Sequence, residues 1–285
     1  MDRNESAIPG LPVVSVLMTS YNCEKYIGDA IRSVLSSTFN NFELIIVDDQ
    51  SKDASVQVAK KFALEDPRVS VYLNEKNLGD YPNRNRAASY ARGKYLKYVD
   101  CDDYIYPWGL ELLVGMMEKF PDAGWGLCSL DQNEKAPFPI ELTPKAAYEY
   151  NYLGPGLFHK APLSSIIKRE VFIAVGGFLP VRIVGDLEMW HRLALRNKVV
   201  LMPGGISWNR VHQKSEMRFF REYLVEYEKI MIFYLKSVDC PLDKESVQNI
   251  LRKRRQSSLW QLLKSGMKLD LGSVKLFWKT WRSYN

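Results

Sequence analysis

The stretch Lys94-Tyr-Leu-Lys-Tyr-Val-Asp-Cys-Asp-Asp103 runs an apolar segment straight into three carboxylates. Residues 94–99 read as a short buried strand, and Asp100, Asp102 and Asp103 follow it at once. Carboxylates crowded at the end of an apolar strand repel one another and resist desolvation. A hard divalent cation resolves that conflict, because Mg²⁺ and Mn²⁺ take oxygen ligands. The stretch therefore predicts a strand end that carries a metal site suited to a diphosphate.

The same alternation leads up to it. Val13-Val-Ser-Val-Leu-Met18 is rich in β-branched residues and reads as a first strand, ended by the turn Thr19-Ser-Tyr-Asn22. Residues 24–35 place Tyr26, Ile27, Ala30, Ile31, Val34 and Leu35 at helical spacing. Residues 42–47 are nearly all apolar, as a strand buried on both faces requires, and Asp48-Asp49 ends them. A helix is expected from Asp53 to about residue 64, a strand over 69–73 and a helix over 83–91. Strand alternating with helix four times implies parallel pairing with right-handed crossovers. In such sheets ligands sit beyond the carboxyl ends of the strands. Residues 19–21, 48–49, 77–84 and 100–103 are four polar clusters that all fall at those ends.

Downstream the pattern predicts a helix over 107–119 and a strand over 123–129. Residues 130–160 carry prolines at 137, 139, 144 and 155 and read as an irregular, substrate-facing excursion. A strand over 164–168, a short helix over 169–175 and the turn Gly176-Gly-Phe178 follow. Residues 186–196 read as a helix with Leu187, Trp190, Leu193 and Ala194 inward, and 199–202 and 206–211 as strands. From residue 216 the pattern is helical, divided into three helices by Pro241, Ser265-Gly266 and Gly272-Ser273. The expected organisation is a polar segment 1–12, an α/β domain 13–215 and a helical, basic extension 216–285.

Composition narrows the partners. The chain has 285 residues, 46% of them apolar, enough for one large domain and an extension. No run of about 18 apolar residues occurs, so no membrane-spanning helix is expected, and residues 1–12 do not read as a signal peptide. Cys23, Cys101, Cys128 and Cys240 lack zinc spacing and are expected as reduced thiols in a cytosol. The net charge is +6, but residues 251–285 hold nine Lys/Arg and one acid, which leaves the rest near −2. A basic tail on a near-neutral body argues against a nucleic-acid binder and for a local anionic partner.

Five motifs occur in one order: Val16-Leu-Met-Thr-Ser-Tyr-Asn22, Ile45-Ile-Val-Asp-Asp-Gln-Ser51, Asp100-Cys-Asp-Asp103, Gly176-Gly-Phe178 with Gly185-Asp-Leu-Glu-Met-Trp190, and His212-Gln-Lys-Ser215. The set, over about residues 13 to 215, resembles the inverting family 2 glycosyltransferases of GT-A fold. The resemblance implies a Rossmann-like mixed, mostly parallel sheet flanked by helices. It makes Asp100-x-Asp102 the metal and ribose motif, with Asp102 the first ligand, Asp100 shared between ribose and metal, and Asp103 mostly structural. It assigns Thr19, Tyr21 and Asp49 to a uridine pocket, Tyr21 stacking on the base and Asp49 accepting from the imide N–H. Arg84, in Asn83-Arg-Asn85 where the family often has Ala-Arg-Asn, is implied to reach the base or a phosphate. His212 approaches the metal or the diphosphate.

Asp186 is the implied catalytic base, the carboxylate that takes the acceptor's proton. Many relatives have Glu-Asp where this chain has Gly185-Asp186. Asp80-Tyr-Pro82 likewise replaces the family's usual small residues. Without the resemblance, Gly-Asp ahead of an apolar-periodic run reads as a helix N-cap. Trp190, one turn on, either flanks the acceptor or is buried. The last helix sets Val274, Phe277, Trp278 and Trp281 at helical spacing beside Lys275, Lys279 and Arg282, with Arg252-Lys-Arg-Arg255 upstream. Such a helix suits an anionic membrane surface; the alternative is packing on the domain.

These readings converge on a Mn²⁺- or Mg²⁺-dependent enzyme. It would move a sugar from a nucleotide-diphosphate donor, a UDP-sugar, to a hydroxyl of a glycan or lipid-linked acceptor. Its expected setting is bacterial surface polysaccharide assembly in the cytoplasm, peripheral at the inner face of the cell membrane. A nucleotidyltransferase would need a glycine-rich phosphate loop after the first strand, which Thr19-Ser-Tyr-Asn22 lacks. A non-catalytic assembly protein would have no use for Asp102 and Asp186.

Overall fold

The structure, a computed structural model, describes residues 10–134, 136–212, 220–267 and 271–284. The first half follows the hydrophobic pattern: β1 (Val14–Ser20), α1 (Ile27–Leu35), β2 (Phe42–Asp48), α2 (Ser55–Glu65), β3 (Val69–Leu73), α3 (Asp80–Ser89) and β4 (Tyr95–Tyr98). These strands pair in parallel in the order β3-β2-β1-β4. β2 sends Phe42, Leu44 and Ile46 into one core and Ile45 and Val47 into the other, which is why its sequence is apolar throughout. α3 starts at Asp80, three residues before the expected start. Pro82 lies in its first turn, where a missing N–H costs nothing.

The second half comprises β5 (Tyr104–Ile105), α4 (Gly109–Glu118), β6 (Ala123–Leu130), β7 (Ile140–Leu142), α5 (Pro144–Leu153), β8 (Ser165–Lys168), α6 (Arg169–Ala174), α7 (Gly185–Ala194), β9 (Lys198–Pro203) and β10 (Ser207–Trp208). The main sheet continues past β4 as β8-β6-β9-β7, with β8 and β7 antiparallel to their neighbours. β5 and β10 form a separate antiparallel pair at the carboxyl end of β4. The excursion 130–160 is more ordered than its prolines suggest. β7 edges the sheet, and α5 starts on Pro144 behind an N-cap in which Thr143 accepts from Ala146 N–H at 3.3 Å.

Three helices close the chain, as expected: α8 (Phe220–Lys236), α9 (Lys244–Met267) and α10 (Leu271–Arg282). α8 is tied to α7 by a buried cluster in which Tyr234 donates to Glu188 at 2.5 Å and Arg192 pairs with Glu188 at 2.8 Å. Arg254 of α9 pairs with Glu228 of α8 at 2.7 Å, so part of the basic run at 252–255 is neutralised inside the fold. No helix among the described residues is long and apolar enough to cross a membrane.

One expectation is overturned: Cys23 and Cys101 form a disulfide, their Cα atoms 6.4 Å apart, while Cys128 and Cys240 are free. The two cysteines are 78 residues apart in sequence. The parallel pairing of β1 with β4 brings their carboxyl-end loops side by side, and Cys101 N–H donates to Thr19 O at 3.3 Å there. Spacing along the chain carried no sign of that neighbourhood.

α3 and α7 meet at their N-termini. A Cβ on Gly185 would lie 2.7–2.8 Å from ring atoms of the buried Tyr81. Tyr81 also accepts a hydrogen bond from Asp186 N–H at 3.1 Å and packs on Phe178, ring centroids 5.2 Å apart. The two departures from the family pattern are thus one feature, because Tyr81 occupies the space that a side chain at 185 would need. Gly185→Ala is expected to cost about 1–3 kcal/mol by overpacking, read by denaturant unfolding. In a Tyr81→Ala background Gly185→Ala should cost little further, and strict additivity of the two changes would show that the contact is not tight.

Candidate active site

The carboxyl ends of β1, β2 and β4 lie together because the strands are parallel neighbours. Arg84, in the middle of α3, reaches across to Asp100 with a two-pronged grip, Nη1 to Oδ1 and Nη2 to Oδ2, both at 2.7 Å. Its Nε donates to Asp80 one turn earlier at 2.9 Å, and Thr19 Oγ1 donates to Asp100 Oδ1 at 3.0 Å. The Arg84 side chain is only 8% exposed. Burial works against its charge, but Asp100 and Asp80 outweigh that and hold the guanidinium pKa well above its ordinary value.

The other members of the carboxylate cluster face elsewhere. Asp102 Oδ2 lies 2.8 Å from His212 Nε2, and Tyr26 stacks on that imidazole with centroids 5.0 Å apart. Asp103 is buried and accepts from Asn209 Nδ2 and Arg210 N–H, both at 3.1 Å. Burial, and then Asp100 and Asp102, push the Asp103 carboxyl well above the usual carboxylate range. A carboxylate and an imidazole facing each other suit Mn²⁺ better than Mg²⁺ as a pair of protein donors, the remaining positions falling to water and phosphate oxygens. Asp100, expected to be shared between ribose and metal, faces protein groups in this structure. Both of its oxygens are engaged by Arg84, and Oδ1 also takes Thr19. Among the described residues no group of three or more His, Cys, Asp or Glu gathers as a metal cluster. Gln213, Lys214 and Ser215 lie outside the described residues.

Tyr21 stands 55% exposed after β1, free to offer its ring face. Asp49 is buried, and its carboxylate organises the loop before α3. Oδ1 accepts from Asn74 Nδ2 at 2.7 Å and Leu78 N–H at 2.8 Å, and Oδ2 from Gly79 N–H at 2.9 Å. Two lone pairs per oxygen leave Oδ2 one acceptor position for a ligand. Capping duties near α2 fall to Asp48 and Asp53, which accept from Ser51 N–H at 2.8 Å and Ser55 N–H at 3.0 Å.

Asp186 lies in the first turn of α7 and is not the N-cap; that position is Val184, with no side-chain cap bond. Its Oδ1 accepts from the adjacent Leu187 N–H at 2.7 Å. Burial pushes the carboxyl up to about 7, against the pull of that N–H and of Arg84. Trp190 does not flank an acceptor. It is fully buried, stacked on Trp125 with centroids 5.4 Å apart, and its indole N–H donates to Lys160 O at 2.6 Å. Three site residues escaped the sequence reading. Tyr81 and Asp80 looked like loop residues ahead of a later helix. Lys97 looked like an ordinary strand position but is a fully buried cation donating to Leu163 O, its pKa lowered by burial while Asp103 and Asp100 oppose the shift. A lysine in an otherwise apolar strand directly before a carboxylate cluster was the available signal.

Comparison with known proteins places the chain in a family. The model of glycosyl transferase family 2 matches residues 15–176, more than half of the chain. Among curated relatives, the putative glycosyltransferase EpsE of Bacillus subtilis is 35% identical over 125 residues, which cover 42% of this chain and 45% of EpsE. The putative teichuronic acid biosynthesis glycosyltransferase TuaG of the same organism is 37% identical over 150 residues, 50% of this chain and 60% of TuaG. The chain thus spans about half the length of these relatives. Among solved structures, S. aureus TarS 1–349 in complex with UDP-GlcNAc has a TM-score of 0.64 at 20% identity, over 83% of this chain and 70% of that one. The mannosyltransferase PcManGT from Pyrobaculum calidifontis, in complex with GDP-Man and Mn²⁺, has a TM-score of 0.61 at 15% identity, over 97% of this chain and 85% of that one. At such identities the two structures speak for the fold alone. With the family model spanning residues 15–176 and this architecture shared, the chain belongs to glycosyl transferase family 2 and has a GT-A fold.

Proposed function

We propose that this transferase moves a sugar, with inversion, from a UDP-sugar to a hydroxyl of a glycan or lipid-linked acceptor. Its setting is bacterial surface polysaccharide assembly at the cytoplasmic side of the membrane. The observation that carries the reading is the position of Arg84. One buried guanidinium grips Asp100 on the donor side and lies within electrostatic reach of Asp186 on the other. Thr19, Tyr21 and Asp49 support a uridine pocket, the exposed ring stacking on the base and the last lone pair of Asp49 meeting the imide N–H. Complexes of TarS with UDP-GlcNAc and of PcManGT with GDP-Man support a nucleotide-sugar donor, and polysaccharide relatives such as TuaG support the setting.

Asp186 takes the proton of the acceptor hydroxyl as that oxygen attacks the anomeric carbon from the face opposite the diphosphate. The bond from the anomeric carbon to the diphosphate oxygen breaks, and configuration inverts. A base of pKa about 7 is well matched to this task near neutral pH. Tyr81 and the α7 backbone orient the carboxylate, and Arg84 supplies positive charge beside the departing group. Asp102 and His212 are the residues that would hold Mn²⁺ or Mg²⁺, whose charge offsets that of the diphosphate when bound.

Four measurements test the reading. Below about pH 7, kcat/KM for transfer is expected to rise tenfold per pH unit and then level off, since only ionised Asp186 accepts the proton. Asp186→Asn should lower transfer at least about 100-fold, and full retention of activity would remove the base assignment. The same variant should be no less stable at pH 8 than the parent. The folded carboxyl holds its proton more tightly than the unfolded one, so ionising it weakens the fold as pH rises towards 7. Arg84→Lys keeps the charge and loses the two-pronged grip on Asp100. Calorimetry should show UDP affinity falling by about tenfold, and unchanged affinity would take Arg84 out of the donor site.

A further inference from the structure

α10 turns different faces to protein and to solvent. Ser273 and Thr280 are buried where the helix packs on α8 and α9. Leu271, Lys275, Trp278 and Arg282 succeed one another at spacings of four, three and four residues and share the opposite, exposed stripe. Leu271 is 79% exposed and Trp278 43% exposed. Beside this stripe a groove of about 710 Å³ runs between α8 and α10. Its walls carry Glu226 and Lys229 from α8 and Lys275, Lys279 and Arg282 from α10, over Leu276.

The charges of the groove are unbalanced. Glu226 is taken by Lys229 at 2.8 Å. Among the described residues, Lys275, Lys279 and Arg282 have no carboxylate within ion-pair distance. Arg282 instead lies over the Trp278 ring, 5.0 Å from its centroid. The other basic run of the tail is partly spent internally: Arg254 is held by Glu228 at 2.7 Å, and Arg255 lies over Trp281 at 5.1 Å. Part of the excess positive charge of the C-terminal extension, three cations of α10, is thus gathered at one groove, edged by an exposed tryptophan and leucine. Three cations on one helix face repel one another, and phosphate groups relieve that repulsion. Cations alternating with exposed apolar side chains along one stripe fit a surface that is anionic at its headgroups and apolar just beneath them.

We propose that the α8–α10 groove docks the chain on a bilayer of anionic phospholipid, the groove cations taking headgroup phosphates and Trp278 and Leu271 entering the interface. The proposal extends the reading of a lipid-linked acceptor, but its test uses no catalysis, so the two can fail separately. The full chain is floated with vesicles of phosphatidylglycerol and phosphatidylcholine, and with phosphatidylcholine alone. It should float only with the former, and the bound fraction should fall steadily with added salt. Lys275→Ala/Lys279→Ala should weaken partitioning by about tenfold or more, whereas Arg252→Ala/Lys253→Ala on α9 should change it by less than about twofold. Both double variants should unfold at the parental temperature. Absence of flotation, insensitivity to salt, or equal losses in the two double variants would overturn the proposal. Should the groove variant fail to fold, the salt series and the phosphatidylcholine arm on the parent chain still decide. Inorganic diphosphate is the second probe. If it protects the parent but not the groove variant from thermal unfolding, and no vesicles bind, the groove takes soluble phosphate and the bilayer proposal falls.

Discussion

The buried pair of Arg84 and Asp100 is the contact on which the site depends. A guanidinium with 8% of its side chain exposed is tolerable only if carboxylates surround it. Here Asp100 takes two of its nitrogens and Asp80 a third. Breaking one partner would leave an uncompensated charge in a poorly hydrated place, which is far more costly than losing a surface salt bridge. The pair also fixes geometry, because a fork-to-fork contact defines both the distance and the plane of the two groups. It thereby clamps the middle of α3 to the carboxyl end of β4, the next element along the chain.

α3 consequently serves two halves of the site. Its Arg84 holds the carboxylate at the end of β4, and its Tyr81, one turn earlier, meets the N-terminus of α7. The contrast between Asp100 and Asp186 follows from this arrangement. Asp100 receives a two-pronged cation and a hydroxyl. Asp186 receives one backbone N–H and the more distant field of Arg84, so burial prevails and its pKa rises to about 7. Of the two carboxylates around one arginine, Asp100 takes the guanidinium's hydrogen bonds and Asp186 its more distant charge. The absence of a side chain at Gly185 belongs to the same design, since it admits the Tyr81 ring.

How much of this is legible in the sequence depends on the range of the interaction. The parallel pairing of β1 to β4 follows from the alternation of strand and helix, and β2 can be apolar throughout only if both of its faces are covered, whereas the order β3-β2-β1-β4 comes from the structure. The polar clusters at strand ends follow from the parallel rule. What could not be read were contacts made by the return of distant segments. Cys23 and Cys101 looked like scattered thiols until β1 and β4 were paired. Trp190 sat at a helical position compatible with either core or cleft, and only its stack on Trp125 decides for the core. Asp186 looked like an N-cap because Gly-Asp is a cap signal. Val184 already holds that position, so the helix begins two residues earlier than an Asp186 cap implies. β7 and α5 were hidden by proline density, although Thr143-Pro144 is itself a helix start and outweighed it.

The stretch after β4 shows why so short a motif is so constrained. Asp100 is held by α3, Cys101 by the loop after β1, and Asp102 and Asp103 by the segment that follows β10. Four consecutive side chains leave in different directions, each to an element that arrives from elsewhere in the chain. A two-residue shift of this segment would set either Asp102 against the guanidinium or Asp100 against the imidazole. The separate β5–β10 pair stabilises the segment, since its antiparallel register fixes where residues 209–212 pass. The strand end first legible as three carboxylates in need of a cation is therefore resolved mainly by protein. Arg84 neutralises one carboxylate, burial raises the pKa of another, and Asp102, beside His212, is left 33% exposed to meet a ligand.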